Sequence, residues 1–350
     1  MKNKHTQKFI SNNGHHKISD PQYFEWWYFD VITSDDIMII IEFHASNLAN
    51  RDNIPMFILS VYYPGGKVVK RHEILKPNMT KISKEKCDIR YFENQIVENE
   101  NQIFIKWNVS GILLDLVYQK QSWLFNTDNV QLIKDPESNR SFNWLIPANR
   151  SAVHGTMVIE NEAYDIKGAG YHDHNWGNLK LKKCINEWTW GRILTKDYSI
   201  VFADIEQKND ESKKNVRSIF FENTGHLIFK GNEYGLSKIS VPIYNSKSVT
   251  NLFAHIHFGS GSHETKLSFS NFRQIDVLKF LDPACTNRSI RKCLIIFYFL
   301  GTKSKVTSMI IDKILHESAY YRFTADYKLF HEGRNVGYGK VLFEQMRFVS

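Results

Sequence analysis

The sequence predicts a mostly β chain built from two similar antiparallel β units in tandem, each a barrel or a sandwich. Three observations carry this. Apolar residues alternate, or run for five to eight residues, between Gly, Asn and Asp. Turn signals such as Pro64-Gly65-Gly66 and Glu332-Gly333 separate those stretches. A segment near the start recurs 162 residues later, and 350 residues suit two domains of about 150 each.

The elements follow in order. Strands are predicted over Ile37–His44, Ile54–Tyr63, Gln102–Val109, Ile112–Gln119, Ser199–Ile205 and Leu294–Leu300, with Lys305–His316 the best helical period. Residues 25–43 align without gaps on residues 187–205. Glu25/Glu187, Trp26/Trp188, Thr33/Thr195 and Asp35/Asp197 are identical in that alignment, and Glu42 falls on Asp204. A second match pairs Gly168-Ala169-Gly170 with Gly337-Tyr338-Gly339, each after an alternating stretch and a polar turn. The expected organisation is a polar N-terminal tail over 1–22, a first unit over 23–182 and a second over 183–350. Closing such sheets into barrels removes sticky edges and leaves room for one small apolar ligand.

Composition narrows the function. Lys and Arg number 45 against 37 Asp and Glu, a dispersed excess of +8 with no nucleic-acid-binding motif, so no nucleic-acid partner is expected. The charge is compatible with peripheral contact at a membrane surface. The longest apolar run, Cys293–Leu300, has eight residues, far short of the roughly 20 of a membrane helix. With no CxxC pair and a polar N-terminus, Cys87, Cys184, Cys285 and Cys293 read as reduced thiols of a cytoplasmic protein. Phosphate-loop, serine-elbow and dinucleotide motifs are absent from the sequence. The departure is aromatic: 14% Phe, Trp and Tyr, enough to wall an apolar pocket.

Three clusters hold candidate chemistry. Tyr23–Asp30 (YFEWWYFD) offers Trp26, Trp27 and Tyr28 beside Glu25, echoed by Trp188 and Trp190 beside Glu187. A carboxylate among aromatics must be paired or protonated, and Arg192 or Arg347 is the simple partner. Residues 168–177 (GAGYHDHNWG), read as a strand, place His172, His174 and Trp176 on one face and Tyr171, Asp173 and Asn175 on the other. Glu42 and Asp204 each follow an apolar run, where burial favours a protonated acid. His172-Asp-His174 and His255-Ile-His257 are HxH pairs that His44 or His154 could complete as a three-His metal site, a weak pattern, and no metal or cofactor is expected.

Residues 23–29 (YFEWWYF), residues 170–177 (GYHDHNWG) and Gly337–Glu344 together resemble the carotenoid hydratase (hydroxyneurosporene synthase) and AttH family. The resemblance implies two tandem lipocalin-like barrels and cofactor-free work on polyenes and isoprenoids. It implies an apolar small-molecule substrate, and an enzyme of the hydro-lyase or cyclase-type isomerase class.

The leading expectation is acid-catalysed hydration or cyclisation. Asp204 would protonate a double bond, His174 would orient water, and Trp176 with Trp26 or Trp27, Trp188 and Trp190 would face the cation. Such ring faces contribute up to about 2 kcal/mol each when desolvated. Tyr28, Glu42, His172 and Glu344 complete the expected substrate-binding set. Three rivals remain: a pericyclase that works by shape and proximity, a non-enzymatic lipid or pigment carrier, and, last, a metal-dependent version of the fold.

Overall fold

The computed structural model describes residues 12–47, 53–122, 131–135, 137–208, 215–223, 226–231, 234–243, 249–259, 261–279 and 318–348. The strand expected over Leu294–Leu300, the helix over Lys305–His316, and Cys285 and Cys293 lie outside these residues. Cys87 and Cys184 form no disulfide among the described residues. Among the described residues no helix is long and apolar enough to cross a membrane.

The chain is nearly all β, in two compact units: residues 1–180 with 222–227, and residues 181–221 with 228–350. The first holds β1 (Phe24–Thr33), β2 (Met38–Ser46), β3 (Met56–Tyr62), β4 (Val68–Ile74), β5 (Thr80–Ile82) and β6 (Asp88–Tyr91). It continues through β7 (Asn94–Glu98), β8 (Gln102–Val109), β9 (Ile112–Lys120), β10 (Gln131–Lys134), β11 (Ser141–Ile159) and β12 (Glu162–Gly177). One helical turn, α1 (Leu181–Cys184), leads into the next sheet. That sheet comprises β13 (Ile185–Leu194), β14 (Tyr198–Gln207), β15 (Val216–Asn223), β16 (His226–Gly231) and β17 (Gly235–Pro242). It ends with β18 (Val249–Phe258), β19 (Thr265–Lys279), β20 (Ser318–His331) and β21 (Arg334–Phe348).

Two antiparallel sheets form the fold, with the same arrangement at the centre of each. The first runs β4-β3-β2-β1-β12-β11-β9-β8-β7-β6-β5, with β10 on β11, and the second runs β16-β15-β14-β13-β21-β20-β19-β18-β17. In both, the opening strand lies between its hairpin partner and the closing strand. Alternation sends one side chain in two to a single apolar core, and the sheet curls to enclose it. Trp107 of β8 therefore stacks on Phe57 of β3 at 4.3 Å, although six places separate these strands in the order. In the second sheet Phe202 of β14 meets Phe253 of β18 at 5.5 Å. These half-barrels give the lipocalin-like character that the sequence predicts.

The repeated glycines mark where the closing strand meets the opening hairpin. A Cβ on Gly168 would strike the backbone of Ile32 and Thr33, and one on Gly337 would strike the side chain of Thr195, the residue aligned with Thr33. The hairpins themselves differ by one residue. In the first, Thr33 N–H bonds to Ile37 O; in the second, Thr195 N–H bonds to Tyr198 O. The 162-residue offset therefore holds along β13 but becomes 161 along β14, so Asp204 occupies the place of Phe43, and Glu42 the place of Ala203. A one-residue slip exchanges the faces of a strand. Glu42 lies on the convex face and Asp204 on the concave face, and the expectation that they are equivalent is corrected.

The core gives a direct test. Trp107 is fully buried against Phe57 and Phe43. Trp107→Ala is expected to lower unfolding free energy by about 3–5 kcal/mol in urea titration, and a loss below about 1 kcal/mol contradicts this packing.

Candidate functional site

The concave face of the first sheet carries the chemistry. Register fixes three rungs between β1 and β12: Glu25 opposite Trp176, Trp27 opposite His174, and Phe29 opposite His172. Directly opposed side chains on one face touch. Trp27 stacks on His174 with ring centroids at 4.2 Å, and Phe29 stacks on His172 at 4.0 Å. The alternation read from residues 168–177 thus holds in the structure. His172, His174 and Trp176 face the interior, whereas Asp173 lies on the convex face, accepting hydrogen bonds from Trp144 Nε1 (2.9 Å), Tyr171 Oη (3.0 Å) and Asn175 Nδ2 (2.8 Å).

The segment read as the end of a polar tail packs onto this face. Trp27 Nε1 donates to Asn13 O at 3.0 Å, and His16 lies flat on Trp176 at 3.8 Å with planes 4° apart. Asn13 Nδ2 reaches Glu98 Oε2 at 2.5 Å and His172 Nε2 at 3.0 Å. His172 Nδ1 donates to Tyr28 O at 2.9 Å, which leaves Nε2 as the acceptor from Asn13. Glu98 in turn pairs with Lys120, both side chains fully buried.

Glu25 is the centre of this arrangement and is fully buried. Its Oε1 lies 2.9 Å from His174 Nε2 and 3.0 Å from His16 N–H. Its Oε2 accepts a short bond from the Tyr23 hydroxyl and longer ones from His16 N–H (3.2 Å) and Lys17 N–H (3.4 Å). His15 Nε2 stands 3.0 Å from Tyr23 Oη. Burial raises the Glu25 carboxyl above its ordinary range, against the opposing pull of His15 and the Tyr23 bond. Burial also drives His174 well down, and burial with the neighbouring His174 takes His16 down to about 4. The imidazoles are therefore neutral at neutral pH. The simple Arg partner is replaced by neutral donors: no Lys or Arg side chain pairs with Glu25 among the described residues. His174 Nδ1 is buried without a hydrogen-bond partner.

The other expected residues are distributed differently. Trp26, Tyr28 and Glu42 alternate onto the convex face of the first sheet, where Trp26 stacks near His44 at 6.1 Å. In the second unit, Trp188, Trp190 and Glu344 lie on the convex face, and Glu344 pairs with Arg322 at 2.9 Å. Arg192 shares that face and is not the partner of Glu187. Asp204, on the concave face, is bound by Arg217 Nε at 2.9 Å and Lys238 Nζ at 3.2 Å. Asp204 is thus held between two cationic side chains, whereas Glu25 has none. Lys238 and Arg347 also approach Glu187, at 3.4 and 3.8 Å. The expected aromatic wall is corrected likewise, because period-two alternation sends Trp27 and Trp26 to opposite faces. Sequence reasoning missed Asn13, His15 and His16; the His15-His16 pair and the spacing of Tyr23 and Glu25 were the available signals.

The buried ion pair beneath the site is testable. Glu98→Gln leaves the Lys120 ammonium buried without its counter-charge and is expected to cost about 3–5 kcal/mol of stability. Combining Glu98→Leu with Lys120→Met is expected to recover most of it. Urea unfolding of the three proteins measures both, and a loss below about 1 kcal/mol for Glu98→Gln contradicts the pairing.

Known proteins resemble this chain in part of its sequence and in its fold. The family model described as carotenoid hydratase CrtC matches residues 126–233, a stretch containing His172, His174, Trp176 and Asp204. A hydroxyneurosporene dehydrogenase of Chlorobaculum tepidum is 29% identical over 65 residues, a match that spans 17% of this chain and 17% of that protein. A putative AttH of Nitrosomonas europaea superposes with TM-score 0.60 at 14% identity, covering 97% of both chains. CghA crystallised with Sch210972 gives 0.65 at 11% identity, over 98% of this chain and 97% of that one. Kievitone hydratase of Nectria haematococca gives 0.55 at 12%, over 98% and 91%. The chain is similar to the carotenoid hydratases in sequence across its middle third, and to the AttH fold along nearly its whole length.

Proposed function

We propose that the chain is a proton-transfer enzyme that hydrates or cyclises an apolar isoprenoid or polyene, and that Glu25 and His174 are its acid–base pair. The carrying observation is a fully buried carboxyl bonded to a neutral imidazole whose far nitrogen has no partner. Protonating an unactivated double bond needs a strong enough acid held away from water. Burial favours the protonated form of Glu25, and the bonds from Tyr23, His16 and Lys17 stabilise the carboxylate left after transfer.

The pair works as a relay. Glu25 passes its proton to His174 Nε2 while His174 passes the proton on Nδ1 to an alkene carbon, so the imidazole stays neutral overall. The countercharge to the new carbocation rests on Glu25. Trp27, at 4.2 Å, and Trp176, at 4.8 Å from the His174 ring, present π-faces to that cation. The attraction is differential because the ground state is neutral. Water adding to the cation returns a proton to Nδ1, and Nε2 returns its own to Glu25. In cyclisation a second alkene or a substrate hydroxyl takes the place of water.

This reading moves the acid from Asp204 to Glu25. With an acyclic carotenoid bearing a terminal prenyl double bond, Glu25→Gln is expected to lower turnover by about 10²–10⁴-fold with substrate binding retained. Asp204→Asn is expected to leave turnover within a few-fold of the parent. Loss of turnover in Asp204→Asn alone would place the acid in the second unit. Reaction in D₂O separates the chemistries: proton-initiated hydration or closure adds one carbon-bound deuterium, whereas a pericyclic closure adds none and tolerates Glu25→Gln.

A further inference from the structure

Glu25 differs from the buried carboxylates Glu98, Asp204 and Glu344 in lacking a cationic side chain. Lys120 serves Glu98, Arg217 and Lys238 serve Asp204, and Arg322 serves Glu344. A charge removed from water demands a counter-charge, and around Glu25 the available side chains are the imidazoles of His15, His16 and His174 and the phenol of Tyr23. One ligand atom from each of His16, Glu25 and His174 lies within 4.8 Å of the others. Each imidazole is buried or half-buried, and His174 Nε2 already lies 2.9 Å from Glu25 Oε1.

We propose that His16, Glu25 and His174 form a binding site for one divalent transition-metal cation of the zinc class. Two imidazoles and a carboxylate are a donor set that suits zinc, iron and nickel, and three protein ligands leave a position open for water. In a tetrahedral site with bonds of about 2.1 Å the ligand atoms stand about 3.4 Å apart, so the widest separation here must close by at most about 1.4 Å. His16 lies outside the two strands that carry Glu25 and His174, so the segment bearing it supplies that movement. Its ring slides on the face of Trp176, with which it is already parallel. The inference uses the residues of the proposed acid but does not rest on that reading, because metal and proton compete for the same atoms. A bound cation displaces the proton and silences proton transfer.

The test is calorimetric titration of Zn²⁺ into untagged, chelator-treated full-length protein, with activity measured separately. One Zn²⁺ per chain is expected, with affinity reduced at least about 100-fold in both His16→Ala and Glu25→Gln. The control His263→Ala, at an exposed His–Glu pair, is expected to bind like the parent. Circular dichroism melting identifies any variant that fails to fold; His16→Gln then replaces His16→Ala, and X-ray absorption of the zinc-loaded parent reads the imidazole ligands directly. No binding up to millimolar Zn²⁺, or affinity equal to the parent's in the His16 and Glu25 variants, overturns the site. Zinc binding without any effect of Glu25→Gln on turnover overturns the acid assignment alone.

Discussion

The first half of this molecule is organised around one unusual requirement, a carboxyl group buried without a cation. Glu25 is satisfied by a phenol, two backbone N–H groups and an imidazole, and each comes from a different demand on the chain. The β1–β12 register delivers His174, alternation delivers Tyr23 to the same side, and the segment from Asn12 to Lys17 delivers the backbone donors. Lys17 takes a left-handed conformation, φ 40°, as its N–H turns toward the carboxylate. Removing any of these leaves a costly group unpaired, so the fold and the site constrain each other.

The two units show how one plan diverges. At the position of Glu25 the second unit has Glu187, approached by Lys238 and Arg347, and on the next strand Asp204 faces inward where the first unit has Phe43. A hairpin shorter by one residue suffices to turn that acid into the interior. The second interior then needs cations, and Arg217 and Lys238 supply them. The aligned glutamates Glu25 and Glu187 therefore sit in different electrostatic environments, the first among neutral donors and the second beside two cations.

Much of this was legible in the sequence. Period-two alternation placed His172, His174 and Trp176 on one face without any knowledge of their neighbours, because a strand has only two faces. The recurrent Gly pairs were legible because a close backbone approach admits little else. The one-residue hairpin difference was hidden, since an ungapped alignment across nineteen residues retains its apolar pattern whichever face the acids take. The role of Asn13, His15 and His16 was hidden as well. A short polar segment has no period, and what it buries depends on residues that are distant in sequence, such as Glu98 and His172.

The account stands on the protonation of Glu25. Infrared spectroscopy of protein labelled with ¹³C at glutamate carboxyl groups reads it at neutral pH. The prediction is a shifted carboxylic-acid carbonyl band that disappears in Glu25→Gln and persists in Asp204→Asn. A spectrum containing carboxylate bands alone, unchanged by Glu25→Gln in the acid region, would contradict it.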